Sequence, residues 1–221
     1  MGKRGPKPKE IIDTKWSSDF SYVLGLIASD GCLSGDGRHI DFTSKDKEQI
    51  LNFQNILKLH HIKIGRKRNK LGNEAYRIQF GSVLFYRWLN DIGLTSNKSK
   101  TIGRLDVPDE FFFDFFRGVW DGDGTIYAYW DPRWKSSYMF YIGITSASYS
   151  FLQWLQDTIS KRSGISGKIT HHKTSNTFQL RFAKKESRIV FKKMFYKNNL
   201  PHLPRKFAKA QEIFRIDENH A

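Results

Sequence analysis

The chain has 221 residues, enough for one large domain or two small ones, and 39% of them are hydrophobic and 15% aromatic. Such a composition can build a packed core, which excludes a disordered basic tail. The 37 Lys and Arg residues exceed the 22 Asp and Glu residues by a formal charge of +15. We therefore expect a polyanionic partner, most simply nucleic acid, although a ribosomal or membrane-surface protein would carry similar charge.

Cysteine usage and apolar runs limit the cellular environment. The chain contains one cysteine, Cys32, which excludes an internal disulfide and a cysteine-based zinc site and suits a reducing compartment. No apolar run approaches the roughly 18 residues of a membrane span, and the N-terminus lacks the apolar region of a signal peptide. We expect a cytoplasmic or organellar-matrix protein that is not secreted and has no membrane partner.

Residues 1–15 are polar and are predicted to form a basic, flexible N-terminal tail. The stretch Lys3–Lys9, KRGPKPK, resembles an AT-hook, a short arm that enters the minor groove of DNA. The alternative is a solvated tail without a specific contact. In either case its positive charge would add to the affinity for a polyanion.

Residues 16–107 are predicted to form a first structural repeat and a linker. A helix at about 18–29 precedes a hairpin that turns at 35–37, and the alternation in its second strand places Ile40 and Phe42 inward. His39, Asp41 and Thr43 then face outward. The remaining predicted elements are a helix capped near Ser44 or Asp46, strands at 62–68 and 76–80, and a helix at 83–91 that Gly93 ends.

Residues 108–221 repeat this order. The segment 178–182, FQLRF, mirrors 76–80, YRIQF, and the second hairpin is longer, at about 125–145 with its turn near Asp131. A helix from about Pro204 to Arg215 ends the chain. We therefore predict an α+β fold of two pseudo-symmetric αββαββα subdomains, each with an antiparallel sheet covered by helices on its apolar face.

Two matched stretches organise these halves: residues 22–31, YVLGLIASDG, and residues 115–124, FFRGVWDGDG. Each has a Gly five residues before an Asp-Gly pair. Because Gly inside a helix costs about 1 kcal/mol relative to Ala, we expect Gly25 and Gly118 to permit close helix packing. Gly31 and Gly124 are predicted to end the helices in the left-handed conformation.

Asp30 and Asp123 then lie at helix C-termini, where the helix dipole is negative. If the helices run parallel, the two carboxylates lie side by side and repel each other. Divalent cations would relieve this repulsion, and hard oxygen ligands suit Mg²⁺. The alternative is two ordinary core helices, each followed by an Asp-Gly turn.

Both stretches resemble the LAGLIDADG motif of homing endonucleases. The first matches it at Gly25, Leu26, Ile27, Asp30 and Gly31, and the second at Gly118, Asp121, Asp123 and Gly124. The first departs at Ala28, where the family often has an acid, and Trp120 is bulkier than usual in the second. The resemblance covers nearly the whole chain past Trp16, and two motifs are typical of the monomeric, pseudo-symmetric branch.

The resemblance implies a site-specific endonuclease that hydrolyses both strands of a long, non-palindromic double-stranded DNA site. Asp30 and Asp123 would hold the catalytic metal, and the backbone carbonyls of Ser29 and Gly122 would add ligands. Mg²⁺ is the expected ion, with Mn²⁺ substituting and Ca²⁺ supporting binding without turnover. The motif helices would pack at the centre through Gly25 and Gly118.

The resemblance also indicates basic pocket residues near the scissile phosphates. Lys45, after Ser44, matches the place of a Gln-Lys-like pair, whereas the second half has Ala147 there, which predicts unequal cleavage of the two strands. Lys98 and Lys100 resemble another pocket position, and Arg205 and Lys206 are their rough counterparts. The alternative for each Lys is an ordinary solvated surface residue.

The two sheets would lie in consecutive major grooves of DNA. Arg matches guanine, Gln adenine and Asp cytosine, although alternating polar residues also occur on any wetted sheet surface. The residues predicted to bind DNA from the sheets are His39, Asp41, Ser44, Arg77, Gln79, Tyr127, Tyr129, Gln179 and Arg181. Those predicted to contact phosphates from strand ends are Arg66, Lys67, Arg68, Lys70, Lys168, His171, His172 and Lys173.

Competing functions follow from the same features. The second candidate is a nucleic-acid binder without cutting activity, such as a maturase whose partner is intron RNA. Retention of both acids favours cutting, because a binder would not need them. No splicing segments of an intein and no separate helix-turn-helix module are evident, and the histidine pairs lack an HExxH pattern for zinc.

Overall fold

The computed structural model describes residues 8–68, 72, 74–134 and 136–220. The first half comprises α1 (Ser18–Ser29), β1 (Gly31–Leu33), β2 (His39–Ser44), α2 (Lys47–Ile56), β3 (Gly65–Arg68), β4 (Glu74–Gly81) and α3 (Val83–Asp91). The second comprises α4 (Phe112–Asp123), β5 (Gly124–Trp130), β6 (Tyr138–Ser146), α5 (Tyr149–Ser163), β7 (Lys168–His172), β8 (Thr177–Phe182), α6 (Lys184–Met194) and α7 (Pro204–Glu218). A short 3₁₀ turn, Asp109–Phe111, leads into α4.

Each half contains one four-stranded antiparallel sheet, and the two sheets have the same strand order. The order is β1-β2-β4-β3 in the first half and β5-β6-β8-β7 in the second. Ile40 and Phe42 are buried on the helix-covered face of the first sheet, as their alternation predicts. The predicted α+β fold of two pseudo-symmetric halves is therefore confirmed.

Serine caps begin three of the helices that cover the sheets. The hydroxyl oxygens of Ser17, Ser82 and Ser148 accept hydrogen bonds from the backbone N–H groups three residues later, at 3.2, 3.3 and 3.3 Å. These bonds satisfy donors that the first turn of a helix leaves free. Each helix then buries its apolar side, and both halves share one core that includes Phe53, Phe85 and Trp120.

Gly31 and Gly124 do not adopt the left-handed conformation that the sequence analysis predicts. Gly124 has φ −85° and ψ 159°, and both residues begin strands instead. Their lack of a side chain serves packing: a Cβ on Gly31 would lie 2.7 Å from the Ile27 carbonyl oxygen, and one on Gly124 2.3 Å from the Trp120 carbonyl oxygen. A helix followed so tightly by a strand leaves no room for a Cβ at the junction.

The second half has one helix more than predicted. The seventh element of its repeat is α6, and the helix predicted at the end of the chain, α7, follows it as an addition. The sequence of α6, KKESRIVFKKM, is mostly charged, and its buried residues form a narrow stripe of Ser187, Val190 and Met194. The addition matters because α7 returns to the end of α4.

Part of the predicted N-terminal tail and one predicted phosphate contact cannot be compared with the structure. Residues 1–7, with most of the AT-hook-like stretch, and Lys70 lie outside the described residues. Ile12, within the predicted tail, is buried in the core. Among the helices of the described residues, none is long and apolar enough to cross a membrane.

Candidate active site

The centre of the molecule is the contact between α1 and α4, where Gly25 and Gly118 face each other. A Cβ added to Gly25 would lie 2.1 Å from the Phe115 carbonyl oxygen, and one added to Gly118 would lie 2.0 Å from the Tyr22 carbonyl oxygen. Real Cβ atoms do not approach backbone oxygen so closely. The two helix backbones therefore touch at this point, and the side-chain-free positions make that approach possible.

The two helices run in the same direction. The contacts advance together along both, since Gly25 meets Gly118 and Ser29 meets Gly122 one turn later. A Cβ on Gly122 would lie 2.0 Å from the Ser29 hydroxyl oxygen and 3.1 Å from Oδ2 of Asp30. The C-terminal ends of α1 and α4, with Asp30 and Asp123, consequently lie side by side.

At these adjoining helix ends, burial and the charge of Asp30 oppose the ionisation of Asp123. Desolvation first, and the charge of Asp30 second, raise the pKa of Asp123 to about 6. Desolvation also raises the pKa of Asp30, opposed by the nearby ammonium groups of Lys206 and Lys98. Both side chains retain solvent access, so water screens part of the repulsion. The arrangement favours a bound cation between the acids.

Two buried lysines close the helix ends. The Lys98 ammonium donates hydrogen bonds to the carbonyl oxygens of Gly31, at 2.6 Å, and Ser29, at 3.4 Å. The Lys206 ammonium, from α7, has four carbonyl acceptors: those of Trp120 at 2.8 Å, Asp121 at 2.8 Å, Gly122 at 3.1 Å and Gly124 at 2.6 Å. These hydrogen bonds give partners to carbonyl groups at the helix C-termini and place positive charge at the negative ends of the helix dipoles.

The lysines keep their helix-end contacts despite the cost of burial. Lys98 is 7% exposed and Lys206 is 8% exposed. Desolvation lowers the pKa of Lys206 to about 8, although the Asp121 carboxylate opposes the change. Desolvation likewise lowers the pKa of Lys98, opposed by Asp123. Each half thus brings one acid and one lysine to the same place.

The donor atoms at this place suit a hard divalent cation. They are the carboxylates of Asp30 and Asp123, which are oxygen ligands of the kind that Mg²⁺ binds. The backbone carbonyls of Ser29 and Gly122 lie beside them, and each also accepts a hydrogen bond from a buried lysine, at 3.4 and 3.1 Å. In the part of the chain that the structure describes, no group of three or more His, Cys, Asp or Glu side chains is placed to hold a metal.

The other predicted pocket residues lie further out. Lys45 and Lys100 are exposed. Arg205 pairs with Asp46, with 2.8 and 2.7 Å between nitrogen and oxygen atoms, and thereby ties the start of α7 to the start of α2. The structure brings Lys98 and Lys206 to the acids and leaves Lys45 and Lys100 on the surface.

Ser44 is a correction to the predicted DNA-binding set. Its side chain is buried, and its hydroxyl donates a hydrogen bond to Oε1 of Gln49 at 2.5 Å and accepts one from the Asp46 backbone N–H at 3.1 Å. The residue ends β2 on the core side of the sheet and leads into α2. Its hydroxyl is therefore occupied inside the protein.

The sequence analysis assigned no role to three buried polar residues of α4. The Asp121 carboxylate accepts hydrogen bonds from the Tyr22 hydroxyl at 2.9 Å and from the Leu203 N–H at 2.7 Å, and burial raises its pKa to about 6. Asp114 and Arg117 form a buried ion pair at 2.8 Å. Charged residues inside an apolar helical run were the signal for such an internal network.

The outward face of the first sheet carries ion pairs. Asp41 lies opposite Gln79 in the register, and Arg77 pairs with the Asp41 carboxylate. The His39 ring pairs with Asp36 in the adjacent turn. Lys67 lies on the same face of the sheet as Arg77. Arg66 and Arg68 lie on the other face, with nitrogen atoms 3.9 and 2.7 Å from the Glu74 carboxylate.

The outward face of the second sheet carries aromatic rings and cations. Tyr127 and Tyr129 of β5, Gln179 and Arg181 of β8 and Lys168 of β7 share this face by register. Tyr141 of β6, which the sequence analysis did not single out, lies between Tyr127 and Arg181. His171 lies on the opposite face and stacks on Phe178 with 4.7 Å between ring centroids, whereas His172 and Lys173 are exposed near the strand end.

Comparison with known proteins identifies the family. Residues 17–93 and 110–195 each match the model of a LAGLIDADG-like domain. No curated protein sequence matches the chain. Among solved structures, similarity extends to the I-LtrWI LAGLIDADG homing endonuclease bound to target DNA, with 11% identity, 91% of each chain covered and a TM-score of 0.61.

Two further structures share the fold. The first is I-DmoI in complex with DNA and Ca, with 15% identity, 88% of this chain and 97% of that chain covered, and a TM-score of 0.57. The second is full-length DUF199/WhiA from Thermatoga maritima, with 15% identity, coverages of 95% and 70%, and a TM-score of 0.56. With two matched segments around two motif helices, the chain belongs to the LAGLIDADG family.

Proposed function

We propose that this protein is a site-specific double-strand DNA endonuclease that cuts both strands of a long, non-palindromic site. The observation that carries the proposal is the placement of Asp30 and Asp123 side by side at the ends of parallel helices. Their mutual repulsion disfavours the folded protein without a cation. A chain that only bound nucleic acid would not need both acids to hold a catalytic metal.

Charge and shape support duplex DNA as the partner. The net charge of +15 suits a polyanion, and a two-stranded β-ribbon fits the major groove. Two sheets of equal strand order flank the acids, so each sheet would serve one half-site. The relatives I-LtrWI and I-DmoI are bound to DNA in their structures. Because one chain supplies both halves, the proposed active form is a monomer.

The proposed chemistry divides between the acids and the lysines. Asp30 and Asp123 would hold the divalent cations, with the Ser29 and Gly122 carbonyls as further ligands. A divalent ion there supplies positive charge to the scissile phosphodiester and its attacking water. Lys98 and Lys206 hold the helix ends that fix the carboxylates. Lys45 and Lys100, which are exposed, are proposed to contact the phosphates that flank the cuts.

Mg²⁺ is the proposed physiological ion, with Mn²⁺ able to replace it and Ca²⁺ permitting binding alone. The all-oxygen donor set supports hard cations of this kind. Related structures hold DNA together with Mn in one case and Ca in another. A chelator should therefore stop cleavage, and added Mg²⁺ should restore it.

A second candidate is a nucleic-acid binder without cutting activity, such as an intron RNA maturase. The observation that favours it is the pair of buried lysines, because their ammonium groups already bring positive charge to the acids. Under this alternative the acids would anchor lysines rather than metal, and the protein would bind nucleic acid without breaking it.

One experiment separates the two candidates. The protein would capture duplexes from a random library in Ca²⁺, the captured pool would receive Mg²⁺, and the new ends would be sequenced. We expect one long enriched site with breaks at fixed positions in both strands. Enrichment without breaks would contradict cleavage and favour the binder, and structured RNA would then replace the duplex library.

A further inference from the structure

Four side chains on the outward face of the second sheet form one connected group, here termed the tyrosine–arginine cluster: Tyr127, Tyr129, Tyr141 and Arg181. The Tyr141 ring stacks with Tyr127 and Tyr129, with centroid distances of 5.3 and 6.3 Å. The Arg181 guanidinium carbon lies 5.0 Å from the Tyr141 ring centroid, and one of its nitrogens donates a hydrogen bond to the Tyr127 hydroxyl at 3.1 Å.

Backbone register explains why Arg181 reaches the rings. Arg181 lies opposite Gly143 on β6, and Tyr141 is the next residue along β6 on the same face. The Gln179 amide nitrogen lies over Gly143, 3.4 Å from where a Cβ would stand. The Arg181 guanidinium extends diagonally to Tyr141 instead. Face-on contact with an aromatic ring and one hydrogen bond fix its orientation without neutralising its charge.

The corresponding arginine of the first sheet is held differently. Arg77 pairs with the Asp41 carboxylate, which neutralises its charge and uses its N–H groups. Around Arg181, by contrast, no carboxylate within the described ranges forms a salt bridge. The two halves thus carry one arginine each on the outward face, and a carboxylate of the described residues compensates the charge of Arg77 but not that of Arg181.

The remaining donors of Arg181 determine which base it suits. A guanidinium has five N–H groups in a planar fork, and Tyr127 takes one of them. The free edge can donate two parallel hydrogen bonds. In the major groove the base that offers two acceptors in that geometry is guanine, through O6 and N7. Tyr141 supports the guanidinium face and leaves this edge exposed.

We propose that Tyr141 is a positioning residue that orients Arg181 to read a guanine in the half-site bound by the second sheet. The inference rests on the proposed function, since it concerns the DNA bound by the same face. It assigns the sharper discrimination of guanine to the second half-site. In the first half-site, Arg77 contributes less because its partner is Asp41.

The test is selection of target duplexes in Ca²⁺ by the wild type and by variants of the cluster. We expect the wild type to require guanine at one position of the second half-site by roughly 10- to 100-fold over other bases. Tyr141→Leu and Arg181→Ala should each lose that preference and keep the preferences elsewhere. Tyr141→Phe retains the ring and should keep the guanine preference. The double variant with Tyr141→Leu and Arg181→Ala should lose no more of that preference than Arg181→Ala alone.

Thr43→Ala is the matched control, because Thr43 lies opposite Arg77 on the outward face of the first sheet. It should leave the guanine preference of the second half-site unchanged. Retention of that preference in Tyr141→Leu, with a melting temperature near the wild-type value, would overturn the inference alone. Failure of the wild type to enrich any duplex would instead overturn the proposed function, and the inference with it.

Discussion

The centre of this molecule is nearly symmetric, whereas its two sheet faces are not. At the centre each half contributes one glycine to the helix contact, one acid to the helix end and one buried lysine to the carbonyls. On the faces, the first sheet pairs its arginine with an acid and the second rests its arginine on tyrosines. Under the proposed function, this difference predicts that both halves serve the same chemistry but recognise different sequences.

A single chain makes this division possible. A symmetric dimer of one half would carry two identical faces and would suit a palindromic site. With both halves in one chain, each face can diverge while the contact between α1 and α4 keeps its two-fold pattern.

The largest effect is expected from the helix contact. Gly118→Ala places a Cβ 2.0 Å from the Tyr22 carbonyl oxygen, so the helices must separate. We expect a loss of about 3 kcal/mol or more in the free energy of unfolding, measured by urea denaturation. Gly35→Ala is the control, since a Cβ there meets nothing within 4 Å. Equal stability of the two variants would contradict the close approach.

The two buried lysines should differ in importance. Lys206→Met removes a donor from four carbonyl oxygens, one of which, that of Trp120, keeps a further donor, the Gly124 N–H, and Lys98→Met removes a donor from two. Since an unpaired buried carbonyl costs about 1 to 3 kcal/mol, we expect Lys206→Met to lower the free energy of unfolding by about 3 kcal/mol or more and Lys98→Met by about 2 kcal/mol. Urea titrations of both variants provide the measurement, and the reverse order would contradict the assigned contacts.

The repelling acids predict an unusual dependence of stability on pH. The pKa of Asp123 is about 6 in the folded protein against an unfolded value of 3.8, so the folded state binds more protons between these values. This group therefore favours folding below about pH 4, and the contribution is lost as the pH rises through 6.

The corresponding variant is Asp123→Asn, which removes this charge. In a chelator at pH 7 its melting temperature should exceed that of the wild type, and the difference should shrink on acidification to pH 4. Saturating Mg²⁺ should reverse the order, because only the wild type retains the full ligand pair. An Asp123→Asn protein that melts below the wild type in the chelator would show that the acids do not repel.

The smallest effect is expected on the sheet faces. Arg181→Ala removes a charge that has no acidic partner in the described ranges, whereas Arg77→Ala removes one that Asp41 neutralises. The slope of log affinity against log salt should fall more for Arg181→Ala than for Arg77→Ala. Filter binding at several salt concentrations measures both, and equal slopes would remove the distinction between the faces.

Periodicity and the matched glycines were enough to predict the fold and the helix contact. Alternating apolar residues place Ile40 and Phe42, and a glycine inside a helix implies close packing at Gly25 and Gly118. The left-handed conformation predicted for Gly31 and Gly124 was wrong. A glycine after a helix has the same sequence pattern whether the backbone needs a positive φ or the packing leaves no room for a Cβ, and here the second reason applies. Helix α6 escaped prediction because its buried stripe is narrow.

The details of the site depend on register and on distant parts of the chain. The pairing of Arg77 with Asp41 and the position of Tyr141 beside Arg181 require the alignment of strands, which alternation alone does not give. Ser44 was predicted to bind DNA, but its hydroxyl is bonded inside the protein to Gln49 and to the Asp46 backbone N–H. The four contacts of Lys206 could not be deduced because they join residues far apart in sequence.

The most direct test of the account compares Asp30→Asn and Asp123→Asn with the wild type on the selected DNA site. Binding in Ca²⁺ and cleavage of each strand in Mg²⁺ would be measured with separately labelled strands. Paired acids that hold the metal predict that either variant binds the site but no longer makes double-strand breaks. Double-strand cleavage at the wild-type rate by either variant would contradict the assignment of the metal to these two residues.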